Sequence, residues 1–356
     1  MSKKNNFILS GLLIAALLIG IYVLEQILPP TEMVFVVLQK GAIYALVAVS
    51  MNLLNGFAGL FSLGQAGFML IGAYTYAIFT IPEVIKPSVY LYFGGGAIHF
   101  TLPVLAAIVL AGLAAAFFAY LIGLPVLRLK SDYLAIATLG FAEIIRAVFQ
   151  WDALGPVTNG SNLLRKFQTY DSTLFPFVVS GTCIAVIVLF IRSTYGRALC
   201  AIRDDETAAE AMGIHLARHK RLAFCISSFF AGISGALLAM FQMTVQASTF
   251  KAAMTYEILL IVVIGGIGSV TGSCLSAFLF VAANEWWLRF LDTEQYIGSF
   301  QIPLLRPGFR RVVFSVLVML VVLFFQKGIM GRKEFSISRF AGRLKRISYK
   351  NKEAKP

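Results

Sequence analysis

Charge is what this sequence has least of. Only 13% of its 356 residues are Asp, Glu, Lys or Arg, and 17 are acidic. With a mean hydropathy of +0.82, so few charges exclude a soluble globule before length is considered. Histidine is scarcer still, at three, and the four cysteines are Cys183, Cys200, Cys225 and Cys274. These cysteines are far apart and match no metal or disulfide spacing. Three lie in apolar runs, where cysteine behaves as a small hydrophobe, so they say nothing about redox compartment. Outside one charged run, the acids Glu143, Asp152, Glu257, Glu285 and Asp292 are scattered singly. That scatter argues against a membrane enzyme, which needs clustered polar groups. No Gly-Lys-Ser/Thr phosphate loop and no nucleophile elbow occurs.

What is present is oil: 59% of the residues are hydrophobic. Apolar runs of 18 or more residues recur, and each can cross a hydrocarbon core of roughly 30 Å as a helix. In lipid the backbone must bond to itself, so the expected fold is an all-α integral membrane protein, a polytopic helical bundle. The short alternating segments of a β-barrel are missing. Expected spans are Phe7–Leu28, Met33–Leu54, Phe57–Thr80, Phe100–Leu124, Tyr133–Trp151, Leu174–Arg192, Leu222–Val245 and Arg311–Gln326. The opening stretch has Lys3 and Lys4 before its apolar run, as a signal peptide does, but the run is too long and no cleavage site follows. The block Thr255–Leu291 is too long for one crossing and is broken by GGIGSVTGS, Gly265 to Ser273. Read as two helices, it brings the count to about ten membrane segments with glycine-interrupted helices, and puts both termini on one side.

The net charge of +13 does not mark a nucleic-acid binder, because of where the charges fall. Of the 30 Lys and Arg residues, twenty fall on the side holding both termini and seven on the other. That bias makes both termini cytoplasmic. Residues 1–331 then form a transmembrane domain with a cytoplasmic loop at 193–221, and 332–356 form a basic cytoplasmic tail. The tail carries Phe335, Ile337, Phe340 and Leu344 at helix-face spacing. It lies on the anionic inner leaflet or it has no fixed structure; both readings stand.

Three constellations stand out. The loop stretch RDDETAAEAMGI starts with Arg203. Asp204, Asp205 and Glu206 suit a helix N-terminus, and Thr207 to Met212 is rich in alanine. Gly213 can close the helix as a left-handed cap. This is either a solvated loop helix or a docking knob whose small surface, Ala208, Ala209, Ala211 and Met212, fits a groove on a partner. A metal or diphosphate site would need a second acidic cluster. The second constellation is NGFAGLFSLGQAGFMLIGAY, where glycines including Gly64 and Gly67 interrupt an apolar run beside Ser62 and Gln65. With Gly265, Gly266 and Ser269 it makes a pair of interruptions in two halves, a pointer to a transport pathway; close helix packing is the alternative. The third is RLKSDYLAIATLGFAEIIRAVFQ, which holds Thr138. Its Glu143 and Arg146 can pair on one helix face, for function or to brace the bundle. His215 and His219 have a metal-compatible spacing but no third ligand.

These blocks resemble the membrane permeases of branched-chain amino acid ABC importers, of the LivM type. GFAGLFSLGQAGFMLIGAY, KSDYLAIATLGFAEIIR, TNGSNLL, STYGRALCAIRDDETAAEAMGI, SSFFAGISGALLA and VVIGGIGSVTGS follow that family's order over about Thr31 to Gly331. Two departures are that Gln65 stands where many relatives have His, and that TNGSNLL lacks the glycine often seen after its second Asn. The resemblance implies a permease subunit for leucine, isoleucine and valine in the cell membrane, with Arg203 to Gly213 as the coupling helix. It implies a second homologous permease subunit, two cytoplasmic ATP-binding subunits and an external solute-binding protein. ATP would be used by those partners, with no cofactor bound by this chain. Relatives of the same fold carry urea or nucleosides, so these stay as alternative substrates.

Overall fold

The computed structural model describes residues 16, 18–27, 29, 32–129, 131–288, 296–297, 300–301, 312–313, 315–316, 319–320 and 328–331. The first expected span is therefore described in part, as α1 (Leu18–Ile27). Most of Arg311–Gln326 and all of the tail 332–356 lie outside the described residues.

Met33–Asn52 forms α2 and continues into a π-helical turn, Leu53–Ala58. Then come α3 (Gln65–Thr80), α4 (Val104–Val126), α5 (Ser131–Gln150) and α6 (Leu174–Arg192). Two short helices follow, α7 (Thr194–Asp204) and α8 (Glu206–Ala211). The chain continues through α9 (Leu216–Gln242), α10 (Ala252–Gly265) and α11 (Val270–Ala282), which ends in a second π-helical turn at Ala283–Trp287. The strands among the described residues are an antiparallel pair, Tyr296–Ile297 with Phe300–Gln301.

Five helical stretches are long and apolar enough to cross a membrane: Met33–Ala58, Val104–Val126, Tyr133–Gln150, Leu174–Arg192 and Leu216–Gln242. Two expected starts move substantially: the span read from Leu222 begins at Leu216, and the span read from Phe57 shifts the other way. In the span read from Phe57, the first two residues belong to the π turn and the α-helix begins only at Gln65, because Gly59 turns left-handed at φ +70° and the chain stays irregular to Gly64.

Burial separates centre from periphery. In α9 and the α2 stretch, 78% and 61% of the most apolar window is buried, against 17% in α6 and 22% in α5. Helix α9 packs against α3, α4 and α2, and α11 packs on α2. With lipid outside there is little hydrophobic drive between helices, so close backbone approach and interhelical hydrogen bonds must hold them. Both are present. A Cβ added at Gly72 of α3 would stand 2.0 Å from the Gly232 carbonyl oxygen of α9. Ser227 and Ser234 of α9 donate to the carbonyls of Ser50 and Ile43 on α2, at 2.6 and 3.1 Å.

Lys40 and Lys86 are each held by polar partners. Lys40 of α2 bonds Glu285 in the second π turn. In the turn after α3, the buried Lys86 ammonium donates to the carbonyls of Ile98 and Phe100, at 2.8 and 2.9 Å. That burial lowers its pKa, with Glu83 pulling the other way.

The packing sets opposite signs for two glycine changes. Gly72→Ala pushes a methyl into backbone that cannot step aside, so the thermal midpoint of the detergent-solubilised protein should fall, at a cost of about 1–3 kcal/mol. Gly181 of α6 has nothing within 4 Å of an added Cβ. Gly181→Ala should leave the midpoint unchanged or raise it, since alanine is favoured in helices by about 1 kcal/mol. Equal midpoints for both variants would contradict the close α3–α9 crossing.

Candidate functional site

The site is built where α2 breaks. The π turn at Leu53–Ala58 and the irregular stretch to Gly64 free backbone groups that a continuous helix would pair internally. Side chains from three helices take them up. The Asn55 Oδ1 accepts from the Ser62 amide at 3.1 Å. Thr138 of α5 accepts from the Leu63 amide at 3.0 Å and donates back to Leu134 or Ala135 carbonyls in its own helix. Thr255 of α10 accepts from the Ala66 amide at 3.3 Å.

Gln65 opens α3 and is only 1% exposed. Its Nε2 donates to Ser227 at 2.9 Å, and Ser227 in turn donates to the Ser50 carbonyl. One amide thus ties α3 to α9 and α2. Gln65 Oε1 and Asn55 Nδ2 have no partner among the described residues. Gly64 and Gly67 seat this end of α3 on α5. Added Cβ atoms would stand 3.2 Å from the Thr138 carbonyl oxygen and 2.9 Å from Ala142 Cα. Ser62, Gly64, Gln65, Gly67 and Thr138 are therefore brought together, and all are buried. In this conformation they brace the break.

The second interruption lies against the first. Helix α10 ends at Gly265; Gly266 takes φ +110°, and Ser269 caps α11 by accepting from the Gly272 amide at 3.1 Å. Gly265 packs on Gly272, and Gly266 lies under Gly331. The Ile329 and Met330 amides donate to the Ile264 and Gly265 carbonyls, at 2.7 and 3.2 Å. A Cβ at Gly56 would stand 2.5 Å from the Gly268 nitrogen, so the two breaks touch.

Asn52, fully buried, joins them. Its Nδ2 donates to the Ser269 carbonyl at 2.9 Å and to Ser273 Oγ at 2.8 Å, while its Oδ1 accepts from the Gly268 amide at 2.8 Å. None of the sequence motifs marks Asn52. Its one signal is an amide inside an apolar span, shortly before the glycine-rich segment.

Glu143 does not join this group. It pairs with Arg146 at 2.6 Å and accepts from the Ala252 amide at 3.1 Å, the first residue of α10. A carboxylate there stabilises the positive helix end, which favours the bracing role over a pathway role.

The loop stretch differs from a single helix over Arg203–Gly213. Asp205 leaves the helical region and divides it. Arg203 and Asp204 end α7. The Asp205 carboxylate accepts from the Thr207 and Ala208 amides at 2.8 and 3.0 Å and caps α8, as aspartate does well at this position. Glu206 is anchored to Lys220 of α9 at 2.7 Å. At the other end Gly213, at φ +84°, lets the Ile214 amide reach the Ala209 carbonyl at 3.1 Å, a Schellman closure.

Exposure then decides the face of α8. Ala209 points inward at 4%, while Ala208 and Ala211 are exposed and Met212 is 84% exposed. Ala209, read from the sequence as part of the outer surface, belongs to the packing beneath the helix.

Asn52→Leu tests the join between the breaks. It leaves the buried Gly268 amide without its acceptor, and an unsatisfied buried polar group costs about 1–3 kcal/mol. The thermal midpoint should fall, and more than for Ser180→Ala, whose buried hydroxyl has no partner among the described residues. A larger fall for Ser180→Ala would contradict this account.

The family model for the permease component of branched-chain amino acid transport systems matches residues 33–325. The chain is 34% identical over 278 residues to the high-affinity branched-chain amino acid transport system permease protein LivM of Escherichia coli (strain K12), over 68% of this chain and 61% of that protein. The match thus spans about three fifths of that relative's length. Over 90% of this chain and 99% of the relative, it is 23% identical to the probable branched-chain amino acid transport permease protein LivM of Methanocaldococcus jannaschii. The E. coli permease protein LivH is 24% identical over 87% of this chain and 98% of its own length. No solved structure matches. With most of its length matched in this way, the chain belongs to the family of branched-chain amino acid transport permeases.

Proposed function

We propose that this chain is a membrane-spanning permease subunit of an ATP-driven importer for leucine, isoleucine and valine. The observation that carries the reading is α8. It is a short helix capped at both ends, fixed to α9 through Glu206 and Lys220, and it offers small or flexible side chains outward at Ala208, Ala211 and Met212. Such a helix suits docking in a groove on a separate ATPase. The names of the relatives, two permease types of branched-chain amino acid transport, support both the substrate class and a second, homologous permease beside this one. Two cytoplasmic ATP-binding subunits and an external solute-binding protein complete the assembly. ATP is consumed by the ATPases, and their closure pushes α8 and switches the buried breaks at Ser62–Gln65 and Gly265–Ser269 between access states.

The same reading gives about ten membrane segments in the cell membrane and cytoplasmic termini. The twenty-to-seven bias of Lys and Arg supports this orientation. So does the hairpin of α10 and α11 about Gly266, which returns the chain to the side from which α10 began.

Topology and docking are tested separately. Cysteine introduced at the exposed Ser88 should react with an impermeant maleimide from outside intact cells, and cysteine at the exposed Thr207 only after the cytoplasmic face is opened. Labelling of both from one side would overturn the orientation.

For docking, Ala211→Trp should leave membrane insertion intact and weaken co-purification with the ATPases. A misfitted indole costs about 1–3 kcal/mol, or roughly tenfold to a hundredfold in affinity. Ala209→Trp, by contrast, should destabilise the permease itself. ATP-dependent uptake of leucine, isoleucine and valine, with urea and a nucleoside alongside, checks the substrate. Unchanged ATPase binding by Ala211→Trp would remove the docking role. Uptake of urea or the nucleoside alone would reassign the cargo.

A further inference from the structure

The docking loop and the double break touch at one side chain. Arg203 sits in the last turn of α7, and only Asp205 separates α7 from α8. Its guanidinium turns back into the bundle. One terminal nitrogen donates to the Gly56 carbonyl at 2.9 Å, inside the first π turn. The Nε and the other terminal nitrogen hold Asp204 Oδ1 at 3.0 and 2.8 Å. A planar fork can make both contacts at once, which a point charge cannot.

The backbone of α7 lies just as close. A Cβ added at Gly59 would stand 2.7 Å from Arg203 Cγ and 3.2 Å from its Cα. Gly59 also needs its left-handed φ of +70°, so two requirements meet there. Beyond Gly56 the path continues without a gap. Gly56 abuts Gly268, and Asn52, four residues earlier, holds the Gly268 amide and the Ser269 carbonyl.

We propose that Arg203 is a positioning residue that couples movement of the α7–α8 loop to the π turn at Leu53–Ala58, and through it to both breaks. A π turn is a rare form of helix, found mostly as a single turn inside α-helices and frequently at functional sites. Here Arg203 holds the Gly56 carbonyl from the cytoplasmic-loop side, and Asn55 holds the Ser62 amide from within. Displacing α8 levers the end of α7, because one residue separates them. The guanidinium then pulls on Gly56 or lets it go. The π turn is the element with two arrangements that such coupling requires: released, it can wind toward the α form and rotate the chain that enters α3. This inference rests on the importer reading for its consequence in transport, but the contact between loop and break does not.

The test uses Arg203→Ala, with Asp204→Asn as a milder variant that weakens the grip on the guanidinium. Both are measured in the complete complex, reconstituted with its ATPases and binding protein. Leucine moved per ATP hydrolysed should fall by about tenfold or more in Arg203→Ala, the scale of one charge-assisted hydrogen bond. It should fall less, in the same direction, in Asp204→Asn. Assembly and ATP hydrolysis should stay within about twofold of the native complex. Leucine per ATP unchanged in both variants overturns the proposal. So does a loss of uptake that only tracks loss of assembly, since that is what a merely structural residue gives.

A second arm needs no transport. Hydrogen exchange on the isolated permease should show amides 56–60 exchanging about tenfold faster in Arg203→Ala, with α9 unchanged. Equal exchange overturns the link. If the native complex moves no leucine while this arm succeeds, the importer reading fails and the coupling of loop to break stands.

Discussion

A helix that breaks within a membrane bundle leaves amide and carbonyl groups that its own turns no longer pair, and the rest of this structure is arranged around them. Near the first break three amides are met by side chains: Thr138 for Leu63, Thr255 for Ala66 and Asn55 for Ser62. At the second break Asn52 serves Gly268 and Ser269, and the strap Gly328–Gly331 serves the end of α10. Such a backbone can stay irregular in lipid only while protein encloses it. The enclosure explains why Ser62, Gln65 and Thr138 are among the most buried polar side chains.

Enclosure requires that helices come very close, and here small residues allow it. Helix α3 meets α9 at Gly72 and Gly232, where the backbones leave no room for a methyl group. The serines of α9 then reach the carbonyls of α2 directly. The centre is thus held by backbone proximity and short polar links, while α4, α5 and α6 turn apolar faces outward. A rigid centre with two touching breaks is a natural place for a conformational change, since movement there need not disturb the outer helices.

The loop that carries α7 and α8 follows a different logic. It is local, capped and half detached. Asp205 and Gly213 close α8 at its two ends, and one ion pair fixes it to α9. What makes the loop more than a surface feature is that α7 stays in contact with the first break through Arg203 and Gly59. A push on α8 therefore reaches buried backbone without crossing any long flexible segment.

Much of this was legible in the sequence, because the rules involved are local. Hydropathy over a window of some twenty residues marks helices such as Leu174–Arg192, whose observed limits coincide with the expected ones. Clustered glycines mark Gly56–Gly64 and Gly265–Gly268 as unusual backbone. The Gly213 closure follows from residue type and spacing alone, as does the positive-inside bias, and family blocks in order point to the permease family, whereas the division of the loop helix at Asp205 does not show in the sequence pattern. Only the tertiary structure decided who partners whom. Asn52 meets Gly268 and Arg203 meets Gly56 across more than a hundred residues of chain. Glu143 turns to the start of α10 and leaves the break alone. Ala209 faces inward although its neighbours face out, because the orientation of a one-and-a-half-turn helix is set by the surface beneath it. Local propensity sees a residue and its near neighbours, whereas a buried hydrogen bond depends on which helix the folded bundle brings within 3 Å.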